Sequence, residues 1–485
     1  MRDVGRDIQR LSDEWRRRLV AELPLLSFAQ QRIWLLHQLD PTKAMYNVRY
    51  IVRALGVLDL DALRHAAAEV RRRHAVLRTT FHLIDNTLYQ VIRGETQSDF
   101  VVVDISDLAS EERVEETALR IEAEFRKPLD LERGPLFRTV VLRSAAREHT
   151  IIFVFHHLVI DGRSMTLFTD EITELYQARV AGRPPNLPAL PIQYADYVAW
   201  QRQAVEGPLL INELSYWRDR LSNCPLVSGL PPDHPRSPLA NGSSESLFCR
   251  LDTALAGRIS MAAAARGCTR YMLLLAAFAA VLGRIAGSSD ICIGSPVAGR
   301  VRREFEPLIG CFLNTLVMRF KLSREMTFDD LLQQAREVTT GAYANQTVPF
   351  ERIVEELKPP RDASGTPFFQ VMMNMLSHKP RSMVFDELEL VPIGLGEPPG
   401  GGMDLNIKVQ AEANDGIGIF LTYRADLYER STIVSLQTEL VGFLAQVVDR
   451  PDLRLGELSG HTNGAPVAGP ERATGFSAGV GPRAG

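Results

Sequence analysis

The residues of this 485-residue chain with the most chemistry to offer stand together in IIFVFHHLVIDGRSM, residues 151–165. An apolar run that reads as a buried strand ends abruptly in His156 and His157, and after three intervening residues come Asp161, Gly162 and a helix start. Successive side chains on a strand point to opposite faces, so the two imidazoles cannot do the same job, and one faces a cavity while the other faces the packed interior. A histidine on an apolar strand is often only a satisfied core residue. A pair at a strand end beside an Asp-Gly turn suits proton transfer, because a neutral imidazole accepts a proton from an attacking amine or hydroxyl, or holds that nucleophile in line. Asp161 has two readings. It either orients an imidazole or forms an ion pair that fixes the turn, with Gly162 supplying a permissive backbone.

The elements that must position this turn alternate along the first third of the chain. Residues 46–56 read as a strand, 59–73 as a helix with Leu60, Leu63, Ala67 and Val70 on its apolar positions, and 78–93 as two strands about Asp85-Asn86. Glu111 to Phe125 repeats the helical period, LFRTVVLR and HTIIFVFHH form a hairpin across SAARE, and a helix opened by Ser164 ends before Gly182. The proline-rich AGRPPNLPALP, residues 181–191, is the expected interlobe connection. A second lobe over 192–458 mixes helices around 193–222, 254–286 and 327–357 with strands at DICIGSPV, NTLVMRF, FFQVMMNM, FDELELVPI and a pair about 414–416. Residues 1–25 read as a short amphipathic helix and residues 459–485, rich in Gly, Ala and Pro, as a disordered tail. The fold class is α/β in two lobes, with sites expected at their junction.

Composition narrows the function. With 45% hydrophobic and 24% charged residues and a net charge of −4, the chain is expected to be a soluble, cytoplasmic protein without a nucleic-acid or membrane partner. Its most apolar helical stretch, Tyr271 to Ala286, is short and interrupted by Arg284. Five widely spaced cysteines, Cys224, Cys249, Cys268, Cys292 and Cys311, predict reduced, mostly buried thiols and no metal site. The Gly400–Gly402 run does not open a helix and reads as a mobile connection rather than a phosphate loop. RRRH at 71–74 reads as the solvated end of a helix, and Phe28 and Trp34 as core.

HHLVIDG also matches the H-H-x-x-x-D-G signature of nonribosomal peptide synthetase condensation domains, members of the chloramphenicol acetyltransferase-like superfamily. Six further segments resemble that family's motifs in the family's order: LSFAQQRIWLLHQLDP (26–41), RRHAVLRTTF (72–81), IQYADYVAWQ (192–201), LIGCFLNTLVMR (308–319), NQTVPFERIVEEL (345–357) and RDASGTPFFQVMMNM (361–375). The resemblance implies two chloramphenicol acetyltransferase-like lobes in a V shape, with an active-site tunnel between them. It implies His157 as the catalytic residue and His156 packed behind it. Asp161 would be salt-bridged to an arginine of the second lobe, for which Arg300 is the candidate, and His156, Asp161, Gly162 and Arg300 would support the site. Arg163, Asn314 and Ser27 are candidate tunnel or substrate contacts; Asn314 and Thr315 equally suit the satisfaction of backbone groups at a strand start.

The activity implied is that of a free-standing acyltransferase in natural-product or antibiotic biosynthesis. It would move an acyl or peptidyl group from a carrier protein's phosphopantetheine thioester to an amine or hydroxyl acceptor, giving an amide or an ester. No cofactor is permanently bound in this reading. The arm comes with a carrier protein in trans, and the acceptor is a small amine or alcohol or a second carrier-bound group. Rival readings are an epimerization domain, a coenzyme A-dependent acyltransferase of the superfamily, or a catalytically silent docking module. Ala75, Arg163 and Asn345 depart from the usual pattern at positions bearing on substrate choice.

Overall fold

A computed structural model of the chain describes residues 20, 22–39, 44–94, 99–225, 229–236, 244–360, 366–376, 383–385, 387–396, 403–411, 416–457 and 471–472. The chain forms two compact units: unit 1 comprises Met1–Leu209, Ala298–Leu313 and Pro380–Pro398, and unit 2 comprises Leu210–Val297, Asn314–Lys379 and Pro399–Gly485. The expected N-terminal helix, the Gly400–Gly402 connection and the tail lie outside the described residues, apart from Val20, residues 22–25 and a two-residue strand at Glu471–Arg472.

Unit 1 is built on helices α1 (Phe28–Leu39), α2 (Leu60–Arg73), α3 (Ser110–Arg126), α4 (Gly162–Val180) and α5 (Tyr194–Ala204), and on strands β1 (Asn47–Gly56), β2 (Thr79–Ile84), β3 (Thr87–Ile92), β4 (Asp99–Asp104), β5 (Phe137–Ala145) and β6 (Glu148–His156). The Asp85-Asn86 turn between β2 and β3 has both residues at positive φ, 48° and 61°, the conformation these side chains tolerate best after glycine. Asp59 caps α2 by accepting from the backbone N–H groups of Asp61 and Ala62. Strand β6 is buried along almost its whole length because it is central: it pairs antiparallel with β1 on one side and with β5, buried from Phe137 to Leu142, on the other.

Two features of unit 1 differ from the sequence expectation. The proline-rich 181–191 segment does not mark the division. Glu174 of α4 accepts from Arg183 and from the Asn186 N–H at 2.6 Å, Arg73 donates to the Pro188 carbonyl, and Leu187 and Leu190 pack on the unit 1 core. The FDELELVPI strand, expected in the second lobe, supplies β11 (Met383–Phe385) and β12 (Leu388–Gly396), and β12 pairs antiparallel with β1. The sheet order is therefore β11-β12-β1-β6-β5-β4. Strand β4 has no counterpart in the sequence expectation, since its side chains are half-exposed at a sheet edge and lack a clean apolar alternation.

Unit 2 holds α6 (Pro208–Leu221), β7 (Ser244–Leu251), α7 (Thr253–Ala265), α8 (Arg270–Ala286), β8 (Asp290–Val297), β9 (Asn314–Lys321), α9 (Phe328–Ala344), α10 (Phe350–Leu357), β10 (Val371–Leu376), β13 (Leu405–Ala411), β14 (Ile417–Arg424), α11 (Arg430–Val447) and β15 (Glu471–Arg472). Its sheet runs β15-β7-β14-β13-β10-β8-β9. Every residue of α8 from Leu273 to Gly283 is buried, as expected of a helix apolar all round. Among the described residues, no single helix is long and apolar enough to cross a membrane.

Candidate active site

The site is set where β6 gives out. The His156 N–H donates to the Leu136 carbonyl at 3.0 Å and the His157 N–H to the Tyr46 carbonyl at 2.7 Å, so the histidine backbone is gripped from both sides of β6. Leu158, Val159 and Ile160 are then wholly buried, and Asp161 caps α4.

The two imidazoles have different surroundings. His156 is buried; its Nδ1 accepts from the Leu158 N–H at 3.2 Å, which leaves the proton of the neutral ring on Nε2. Its ring packs nearly perpendicular to that of His37, centroids 5.2 Å apart, and beside Tyr46. Burial, followed by His37 and His157, holds His156 well below the usual histidine range, so the ring is uncharged packing. His157 is only half-buried. Its Nδ1 is buried without a hydrogen-bond partner among the described residues.

Asp161 does not serve an imidazole. One carboxylate oxygen accepts from the Ser164 N–H at 2.7 Å and the other from the Phe312 N–H at 2.9 Å, and Arg300 donates to both at 3.1 and 3.3 Å. The pair is dry: the side chains of Arg300 and Asp161 are 2% and 1% exposed. Arg300 also donates to Ser164 Oγ and the Leu308 carbonyl, and its guanidinium lies 4.1 Å from the centre of the Phe312 ring. Ser164 Oγ closes the cluster by donating to the Gly310 carbonyl and accepting from the Gly310 N–H. Asp161, rather than the expected Ser164, is the helix cap, because only its side chain reaches back to a free first-turn N–H. Arg300, expected on the second lobe, lies on the 298–313 segment of unit 1.

Behind the turn stands a layer made from the other motifs. Ser27 and Gln30 bond reciprocally, each side chain accepting the other's backbone N–H, and Gln30 Nε2 donates to the Leu158 carbonyl at 2.9 Å. The Tyr194 hydroxyl lies 2.6 Å from the Cys311 carbonyl and 2.9 Å from Ser27 Oγ. Ser27 is thus fully buried and occupied, which removes it as a substrate contact. Asn314 is removed likewise, by a different geometry within unit 2: its amide donates to the Gln346 and Val348 carbonyls and accepts from the Thr315 and Phe350 N–H groups. Gly162 is exposed, lies outside the left-handed region and would meet nothing if it carried a Cβ, so backbone permissiveness is not its role. Arg163 is 38% exposed with Glu306 at 3.9 Å, and it remains a candidate contact.

One participant carries no clear signal in the sequence. The RRRH segment is not a solvated helix end: Arg71 and His74 are buried, His74 Nε2 meets Glu171 Oε2 at 2.9 Å, and His74 Nδ1 accepts from the Ile309 N–H. His74 therefore braces the 298–313 segment alongside the bonds that Arg300 makes to the turn. Its one mark in the sequence is membership of a motif-like segment. Trp34 packs on the core as expected, whereas Phe28 is only part-buried and lies under the Arg202 guanidinium. Among the described residues, no group of histidine, cysteine or acidic side chains has a metal-binding arrangement.

A family model described as Condensation domain matches residues 20–463. A linear gramicidin synthase polypeptide of Brevibacillus parabrevis is 37% identical over 442 residues, covering 90% of this chain and 8% of that protein. Phosphinothricin tripeptide synthetase PhsC of Streptomyces viridochromogenes is 36% identical over 434 residues, covering 89% of this chain and 40% of that protein. The chain thus spans well under half the length of these relatives. Among solved structures, the complex of the X-domain and OxyB from teicoplanin biosynthesis matches with a TM-score of 0.81 and 27% identity, covering 91% of this chain and 97% of that one. The first condensation domain of the calcium-dependent antibiotic synthetase shares the fold, with a TM-score of 0.75 at 22% identity over 90% of this chain and 98% of that one.

Proposed function

Because the chain belongs to the condensation-domain family of nonribosomal peptide synthetases, we propose that it is an acyltransferase using His157 to join a carrier-bound acyl or peptidyl group to an amine or hydroxyl. The single observation that carries this reading is the contrast between the paired histidines: His156 is buried and spent on packing, whereas His157 is half-buried with its Nδ1 enclosed, leaving Nε2 for a substrate. The donor is the phosphopantetheine thioester of a carrier protein. In the reaction the acceptor nitrogen or oxygen attacks the thioester carbonyl, a C–N or C–O bond forms, the C–S bond breaks, and the acceptor's proton ends on the departing thiol. A thioester is already activated, so alignment of two substrates and exclusion of water suffice, and no acyl-enzyme is needed. His157 Nε2 accepts or positions the acceptor's proton. Asp161 and Arg300 maintain the turn and take no part in proton transfer.

The test compares single-turnover rates for one acyl group presented on a carrier protein, on pantetheine and on coenzyme A at matched concentration. Binding energy from the carrier surface aligns the thioester, so the carrier-bound donor is expected to react fastest, with the truncated donors losing rate as well as affinity. Equal rates for carrier and coenzyme A would favour a coenzyme A acyltransferase instead. A second reading, a recruitment module that binds a partner protein without turnover, is favoured by the 0.81 match to an X-domain in complex with OxyB. Absence of transfer from every loaded carrier tested, with a folded protein, would support it.

A further inference from the structure

Away from the histidine turn, two of the five cysteines meet in unit 2. Cys292 is wholly buried on β8, Cys224 is half-buried three residues past the end of α6, and their sulfurs are 3.0 Å apart although 68 residues separate them in the chain. The backbone carrying Cys224 is held. Arg319 on β9 donates to the carbonyls of Arg220, Ser222 and Asn223, and its remaining donors grip Asp290 at the start of β8. One guanidinium therefore secures both the loop of one thiol and the strand of the other.

We propose that Cys224 and Cys292 are an oxidation-sensitive thiol pair that closes reversibly to a disulfide and pins the 222–225 loop to β8. The Cys224 thiolate attacks a hydroperoxide: an S–O bond forms, the O–O bond breaks, and hydrogen peroxide leaves one oxygen as water and the other as a sulfenic acid on Cys224. The Cys292 sulfur then attacks the Cys224 sulfur; the S–S bond forms, the S–O bond breaks, and hydroxide departs with the Cys292 proton as a second water. Two electrons pass from the sulfurs to the peroxide, and a dithiol reductant reverses the change.

The surroundings assign the order of events. The hydrogen bond from Cys292, then Arg319 and Lys321, draw Cys224 below the usual thiol range, which makes it the attacking thiolate. Cys292 is pushed upward by the same hydrogen bond and by burial, which suits a resolving thiol shielded from direct oxidation. Burial raises Cys249 and Cys268, so neither competes as a thiolate.

The reduced 485-residue chain is titrated with hydrogen peroxide under native conditions, and thiols are counted before peptide mapping. The expected result is a fall from five thiols to three, a Cys224–Cys292 linked peptide, recovery of all thiols with dithiothreitol, and a higher melting midpoint for the oxidised form. Cys224→Ser, which keeps a side chain of nearly the same size at a partly buried position, is expected to keep its remaining thiols at the same peroxide dose and to show no redox-dependent midpoint. Accumulation of Cys224 sulfinic acid without a linked peptide, thiol loss as large in Cys224→Ser as in the wild type, or an oxidised form melting no higher than the reduced one would each overturn the proposal.

Discussion

His157 loses little packing when truncated, because its ring is half-buried and no hydrogen bond from that ring holds the turn among the described residues. His157→Ala is accordingly expected to melt like the wild type while cutting acyl transfer by about 10²–10⁴-fold, the range for a lost positioned acid–base group. His156→Ala is the opposite case, since a fully buried ring packed on His37 leaves a cavity. A folded His156→Ala with no turnover beside a fully active His157→Ala would reverse the assignment. Asp161 and Arg300 form a second residue-scale unit. Removing either leaves a buried charge unpaired, at a cost of roughly 3–5 kcal/mol. Asp161→Asn and Arg300→Ala should each lower the melting temperature and the rate, and the double variant should lose much less than the sum of the singles; strict additivity in denaturant titrations would show that the two do not interact. The ion pair was expected from the family resemblance. Its further bonds with the Ser164 N–H, the Leu308 carbonyl and the Phe312 N–H were not, because these are backbone groups that carry no side-chain signature.

At the scale of elements, the 298–313 segment is what the histidine turn leans on. It reaches Asp161 through Arg300 and Phe312, Ser164 through Gly310, His74 through Ile309, and Tyr194 through Cys311. Its path depends on Gly299, which sits at φ 61° with the Phe312 carbonyl where a Cβ would stand. Gly299→Ala should therefore reduce both stability and transfer rate, combining about 1–2 kcal/mol of left-handed strain with a backbone clash. Gly257, inside α7 with open space around it, is the contrasting position. There Ala should stabilise by about 0.5–1 kcal/mol without changing the rate. Thermal melts and single-turnover assays of the two variants check the pair. Helix and strand positions in this region were legible from apolar period and turn residues. The role of 298–313 was not, since a loop without periodicity shows its importance only through the groups it meets.

For the whole molecule, acid is expected to act first on unit 1. His37, His149 and His156 all lie in that unit, and burial is the leading cause that lowers each below its ordinary value of 6.5. An unfolded chain takes up protons on these rings below about pH 6.5 while the folded unit resists, so the stability they contribute is present above that pH and lost as pH falls toward their depressed values. The slope approaches about 1.4 kcal/mol per pH unit for each imidazole that stays neutral. Melting temperatures between pH 8 and pH 5 should fall on the acid side of about pH 6.5, with amide exchange rising first in β6 and α1; a flat profile across that range would show that these rings protonate while folded. The sequence by itself determined the α/β class, most of the elements and the family to which the chain belongs, because apolar period, turn residues and ordered motifs are local properties of a chain. Only the tertiary structure decided that residues 298–313 and 380–398 belong with the first 209, that Ser27 and Asn314 are spent on backbone groups, and that Cys224 touches Cys292. Those outcomes depend on which distant segments come together, and sheet pairing between β1 and β12 or a bond such as that from the Phe312 N–H to Asp161 leaves no mark in local spacing.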